Sequence, residues 1–183
     1  MTPAVKHGLK WGVTVVFAAS AALIGAWEGK RNETYLDVVG VKTVCFGSTN
    51  PKYAVMGKRY TDQECLDILQ EDVEKHYGEM QRCVHHPMPL HSTVAVLSMF
   101  FNMGGTKMCA STLVRQINAG LPPTTYCEQI PRWNQAGGKI WQGLVNRRAD
   151  ERLLCLGQGK WMQVVRDVLG NLPPTKLIYF TVE

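Results

Sequence analysis

Glu28, Asp37 and Thr43 stand at i, i+9 and i+15 along the chain. Hydrolysis of a glycosidic bond needs two carboxylates in unlike surroundings. One is protonated and hands its proton to the leaving oxygen; the other is ionised and activates water or stabilises the cationic sugar. Glu28 follows Trp27 at the end of an apolar run, so it is the better candidate for the protonated partner, because apolar surroundings disfavour the charged form. Asp37, on a more polar turn, is the candidate ionised carboxylate, and the Thr43 hydroxyl can hold a water by hydrogen bonding. Spacing alone is a weak signal. Acidic residues at this separation are common, and Glu33 is a decoy between the two.

A helix and a hairpin must position these groups. Gly29 is a natural helix stop directly after Glu28, since glycine takes the left-handed conformation cheaply. β-Branched and aromatic residues from Tyr35 to Phe46, around Val39-Gly40, predict a short antiparallel hairpin or small sheet. Reversal at Gly29 and again near Gly40 brings the three groups to one cleft. The stretch "GSTNPKYAVMGKRY" reads as loop. Thr61 with Glu64 is a capping-box start, and Leu66, Leu69 and Val73 give the following helix an apolar stripe as far as about His76. "LHSTVAVLSMFFNMGG" is apolar nearly all round and predicts the central buried helix, ending at Gly104-Gly105. Further helices are expected over about 110–118, 124–136 and 141–156, followed by an appendix beyond Gly157 and Gly159. The class is α+β, mostly helical.

At 183 residues the chain suits one domain with a real core. Its net charge of +5 comes from scattered lysines and arginines. Stacking aromatics are not interleaved with them, so no nucleic-acid partner is expected; a mildly basic surface suits an anionic polymer or lipid headgroups. The six cysteines, Cys45, Cys65, Cys83, Cys109, Cys127 and Cys155, form no CxxC pair, which leaves a zinc site without support. An even count behind an export-like segment reads as three disulfides outside the cytoplasm, with connectivity open; buried free thiols are the alternative. Cys83-Val84-His85-His86 invites a metal reading, but adjacent histidines rarely share a face and no carboxylate stands at ligand spacing. No metal and no cofactor is expected. Asn102 orients backbone or touches substrate. Arg147 and Arg148 reach a carboxylate or a glycan, or pair at the surface with Asp150 or Glu151. Trp133 and Trp141 stack on sugars or, the more ordinary role, pack in the core.

The stretch "WEGKRNETYLDVVGVKTVCFG" resembles the phage T4-type lysozyme family, the glycoside hydrolase family 24 endolysins. That family's pattern is E-G, then Y-x-D, then G-x-x-T-x-G-x-G. The chain matches at Glu28-Gly29, Tyr35, Asp37, Gly40, Thr43 and Gly47, and the likeness continues through "FFNMGG", "STLVRQINAG" and "RWNQAGGKIWQGLVNRRADERLLC". By that resemblance Glu28 is the general acid, Asp37 the second carboxylate and Thr43 the positioner of the attacking water. Asn102 and Arg147 are the candidate substrate contacts. The reaction implied is hydrolysis, with inversion, of the β-1,4 bond between N-acetylmuramic acid and N-acetylglucosamine in peptidoglycan. A histidine common in the family is missing here, where the run is Gly47-Ser48-Thr49.

The apolar run from Trp11 to Trp27 follows Lys6, His7 and Lys10, the polarity of a segment with its N-terminus inside. At helical rise it spans roughly 26 Å, just short of a hydrocarbon core. Nine of its seventeen residues are Ala, Gly, Ser or Thr. It reads as a cleaved signal peptide with Ala19-Ser20-Ala21 as its A-x-A site, as an ordinary anchor, as a core helix, or as a marginal span that is exported, held and let go. In the family, the helix ending on the catalytic Glu packs into the enzyme domain, so one segment is claimed by lipid and by protein.

The chain is therefore similar to the signal-arrest-release endolysins. The resemblance implies an N-terminal signal-anchor segment over residues 1–27, a lysozyme-like domain over 22–158 and an extension of unknown role over 159–183. It implies a monomer held in the host inner membrane through residues 11–27, facing the periplasm, and then released to act on peptidoglycan. It also implies the pairs Cys45–Cys65, Cys83–Cys109 and Cys127–Cys155. A conventionally secreted lysozyme and a non-catalytic peptidoglycan-binding module are the rival readings.

Overall fold

The apolar run forms α1 (Pro3–Glu28), and the described part of it lies in the protein core. The computed structural model describes residues 3–37 and 40–170, with side chains from Val15 onward except Leu169. Along α1, Val15, Val16, Ala19, Ser20, Leu23 and Ile24 are buried, which is the spacing of one helical face. Ala18, Ala22 and Ala26 occupy the exposed side. Among the described residues no helix is long and apolar enough to cross a membrane. Gly29, at φ 68°, ends α1 in the expected left-handed conformation and turns the chain into β1 (Arg31–Leu36). β1 pairs antiparallel with β2 (Lys42–Cys45), with Tyr35 opposite Thr43 and Leu36 opposite Lys42.

α2 (Asp62–Gln81) starts at the capping box read from the sequence: Glu64 N donates to the Thr61 hydroxyl, and Thr61 N donates to the Glu64 carboxylate. It runs past His76 and buries Cys65, Ile68, Leu69, Val73 and Tyr77. Leu66, expected on the apolar stripe, is 49% exposed; the stripe runs through its neighbours Cys65 and Leu69. α3 (Leu90–Met103) is the central helix, with every residue from Ser92 to Phe100 buried. It packs against α1, α2 and α7 (Gln142–Cys155).

Between α3 and α7 lie α4 (Gly105–Cys109), α5 (Thr112–Asn118), α6 (Pro123–Tyr126) and a 3-10 turn over Cys127–Arg132. The single helix expected over 124–136 does not form. Pro131 sits in the 3-10 turn, and a small hairpin of β3 (Gln135–Ala136) and β4 (Lys139–Ile140) follows. Gly137 and Gly138 both take positive φ, 57° and 75°, which is what a tight two-residue hairpin turn demands. Trp141, expected in the core, is instead 55% exposed beside that hairpin. The last described element is α8 (Trp161–Gly170); residues 171–183 lie outside the described part. Disulfides join Cys45 to Cys65, Cys83 to Cys109 and Cys127 to Cys155, the pairs that the resemblance implies.

Candidate active site

Glu28 is the last residue of α1, and two elements far away in sequence hold its carboxylate. Arg147 of α7 donates through Nη1 to Glu28 Oε1 at 2.5 Å. Glu28 Oε2 faces Gly47, just beyond β2: a Cβ on that glycine would lie 3.1 Å from Oε2. Gly47 is also at φ 82°, so two requirements fix its identity. The apolar setting expected for Glu28 from Trp27 is therefore only part of its surroundings. Its carboxylate is bracketed by a guanidinium on one side and backbone on the other.

Of the readings open for Arg147, the structure shows it reaching carboxylates, those of Glu28 and Glu151, in a buried network rather than at the surface. Its Nε donates to Glu151 Oε1 at 3.1 Å, and its Nη2 lies 3.4 Å from Ser98 Oγ on α3. Glu151 is fully buried and Arg148 is 1% exposed. Arg148 Nη2 donates both to Glu151 Oε1 and to Asn102 Oδ1, at 3.2 and 3.1 Å. Arg148 Nε is 2.8 Å from Glu151 Oε2 but not aligned for a hydrogen bond, so that contact is electrostatic. Burial pushes the Glu151 carboxyl up against the opposing pull of Arg148, Arg147 and Ser98. Burial likewise draws Arg148 down to about 10, against the charge of Glu151. Because a buried charge stripped of its partner is costly, the cluster fixes Arg147, and Arg147 fixes Glu28.

Asp37 and Thr43 are joined through the backbone of one residue, Val41, at the closed end of the β1–β2 hairpin. Asp37 N donates to Val41 O at 2.9 Å and Val41 N donates to Asp37 Oδ1 at 2.8 Å. The Thr43 hydroxyl donates to the same Val41 carbonyl at 3.1 Å. Glu28 stands near the hairpin's open end, where the chain leaves β2 through Gly47. The hairpin thus sets Asp37 and Thr43 at its closed end, and Gly47, beyond its open end, meets Glu28.

Two further residues of the site were not read from the sequence. Cys45 has φ 56°, the only positive φ at a residue other than glycine among the described residues. It occupies the position between Thr43 and Gly47 where the family pattern has a glycine, and that glycine was the available signal. The other is Asp72 on α2, 8% exposed, whose carboxyl is pushed up by burial against a hydrogen bond from Ser48. Ser48 stands where the family histidine is missing.

Asn102 is half-buried, and its carboxamide NH2 has no partner among the described residues. A groove of about 320 Å³ opens between α5 and the 3-10 turn, lined by Thr112, Leu113, Gln129, Arg132 and Trp133. The Gln129 Oε1 is buried there without a partner. Among the described residues no three His, Cys, Asp or Glu side chains cluster in a way that could hold a metal.

The mostly helical fold with its small antiparallel sheet is that of a glycoside hydrolase of the lysozyme type. A family model described as phage lysozyme matches residues 25–151, and the chain belongs to that family. The SAR-endolysin of Bacteriophage PS119 is 36% identical over 163 residues, which is 85% of this chain and 96% of that one. The endolysin from Escherichia coli O157:H7 phage FAHEc1 aligns with a TM-score of 0.69 at 29% identity, over 78% of this chain and 94% of its own. The active form of P1 phage endolysin Lyz aligns with a TM-score of 0.68 at 26% identity, over 75% and 83%.

Proposed function

We propose that the chain is a phage endolysin, a muramidase that cuts the β-1,4 bond between N-acetylmuramic acid and N-acetylglucosamine and is held inactive at the membrane before release. Glu28 is the general acid. An arginine can only donate, so the Arg147 bond to Oε1 leaves Oε2 as the oxygen that carries the proton. That proton passes to the glycosidic oxygen as its bond to the anomeric carbon breaks. Water attacks the opposite face of the sugar, and Asp37 takes up the water proton. The Thr43 hydroxyl, its own proton given to Val41 O, accepts a hydrogen bond from that water and orients it. Asn102 and the groove beside Trp133 contact the glycan, while the enclosed Arg147 positions Glu28.

Residues 11–27 hold the exported chain in the host inner membrane, N-terminus inside and domain in the periplasm. The observation that carries this reading is the exposed stripe of α1. It consists of Ala18, Ala22 and Ala26, and no charged residue occurs between Trp11 and Trp27. The same helix therefore suits lipid on all sides and protein on one. Burying Val16, Leu23 or Ile24 stabilises by roughly 1.5–3 kcal/mol each, but lipid is about as apolar as a protein core. The apolar transfer term thus hardly chooses between the two states, and small polar and packing terms decide. Because Glu28 closes this helix, the tethered state has no positioned general acid.

Glu28→Gln tests the catalytic assignment. It should abolish hydrolysis of purified peptidoglycan while the fold and binding to the polymer persist. Hydrolysis that survived would remove Glu28 as the general acid, whereas a wild-type chain that bound the polymer without cutting it would return the non-catalytic binding reading. Intact mass and N-terminus from membrane and periplasmic fractions test the tether. Both starting at Met1 or Thr2 supports release without cleavage, whereas a soluble form starting near Ala22 means an ordinary leader.

A further inference from the structure

α8 takes no part in the chemistry described above, yet it touches both helices that meet at Glu28. Its start is fastened to α7: Lys160 Nζ and Trp161 Nε1 both reach Asp150 Oδ2, at 2.9 and 3.0 Å. Asp150 stands three residues from Arg147 on the same helix. From there α8 packs mainly along α1. Val165 is buried, Trp161 and Met162 are partly buried against the core, and Gln163, Arg166 and Asp167 face solvent. α1 therefore lies in a slot walled by α2, α3 and α8.

Two of these walls do not depend on α1. α2 and α3 pack on each other, and α3 packs on α7. The third wall does depend on it, because the principal partner of α8 is α1 itself. We propose that α8 is a clasp for α1: it closes over the helix when α1 docks, holds Glu28 in place, and favours withdrawal of the segment from the bilayer. The last part rests on the tethering proposed above. When α1 is in lipid, Val165 and its neighbours lose what covers them. Whatever α8 contributes to docking α1, docked α1 contributes to ordering α8. Trp161 and Val165 are positioning residues that act on the reaction through α1.

The test uses the full chain, the variants Val165→Asp, Val165→Ile and Trp161→Phe, and amide hydrogen exchange of the released enzyme. Burying a carboxylate under α1 should speed exchange over residues 15–27 by about 10-fold or more while α3 keeps its protection. The turnover number on purified peptidoglycan should fall with KM little changed, and V165I should restore both exchange and turnover. W161F, which removes the indole tie to Asp150 and trims the ring packed on the core while the Lys160 tie remains, should shift both in the same direction by less. Equal loss of protection in α1 and α3 would make Val165 an ordinary core residue and overturn the clasp; so would unchanged α1 exchange in W161F if V165D does not fold. In cells, V165D should raise the membrane-bound fraction after the membrane potential is collapsed. A wild-type chain that is soluble at every stage would instead sink the tether, and exchange alone would then decide the clasp.

Discussion

A single methyl group added at Gly47 should separate folding from catalysis. Its Cβ would press on Glu28 Oε2 at 3.1 Å, and the residue would have to hold φ 82°. The backbone cost of Gly47→Ala is roughly 1–2 kcal/mol. Displacing the oxygen that the proposed mechanism uses as proton carrier, by about an ångström, should cost more in rate, on the order of 100-fold in kcat. Thermal unfolding and turnover measured on the same preparation check this; parallel losses of equal size would mean that Oε2 is not the reacting oxygen.

Asp72 gives a pH prediction. Burial holds its folded pKa above the ordinary value of 3.8, against the Ser48 bond. The native state therefore binds the proton more tightly than the unfolded chain. The stability this contributes is complete below the unfolded pKa and is lost as pH rises through the folded one. Asp72→Asn should thus stabilise the protein at pH 7 relative to wild type, with the difference shrinking toward pH 3. A difference in Tm that stays flat over that range would contradict the account.

At this scale the candidate carboxylates and Thr43 stand out in the sequence because they lie within one short motif. That Arg147 meets a carboxylate is among the readings of the sequence, but not that the carboxylate is Glu28, which lies 119 positions away.

Among the elements, β2 shows how a crosslink and a backbone conformation share one residue. Cys45 ties the strand to the first turn of α2, closing a loop of 20 residues, a crosslink worth about 3 kcal/mol by loop entropy. It does so in a left-handed conformation that a side chain disfavours. Cys45→Ala with Cys65→Ala loses the crosslink and keeps the backbone penalty. Cys45→Gly with Cys65→Ala loses the crosslink and relieves the penalty. The glycine variant should therefore be the more stable of the two by about 1 kcal/mol, read from denaturant unfolding. If the alanine variant is equal or better, the strand relaxes once the crosslink is gone.

The sequence carried elements well wherever a local signal decided them. The Thr61–Glu64 box started α2, and Gly29 stopped α1. Helical periodicity failed over 124–136, because Gly137-Gly138 imposed a hairpin that a helix-period reading passes over. α8 was read only as an appendix, since the surface that orders it belongs to α1, at the other end of the chain.

For the molecule as a whole, the proposed tethering makes α1 an element shared by two environments, and its alanine stripe permits a test that leaves the enzyme itself untouched. Ala18 and Ala22 face solvent when α1 is docked. Replacing both with leucine should change the stability of the released domain by less than about 0.5 kcal/mol. In lipid the same side chains are buried, and each leucine contributes about 0.3–0.6 kcal/mol to insertion. Together they should shift the balance by on the order of 1 kcal/mol, about five-fold toward the tethered state. Purified Ala18→Leu/Ala22→Leu enzyme should then hydrolyse peptidoglycan at the wild-type rate, while cells expressing it retain more of the chain in the inner membrane and lyse later. Loss of activity in the purified protein would show that the stripe is not idle in the docked state. Unaltered retention and lysis would mean that α1 does not partition between lipid and protein, and that Glu28 is in place from the moment the domain folds.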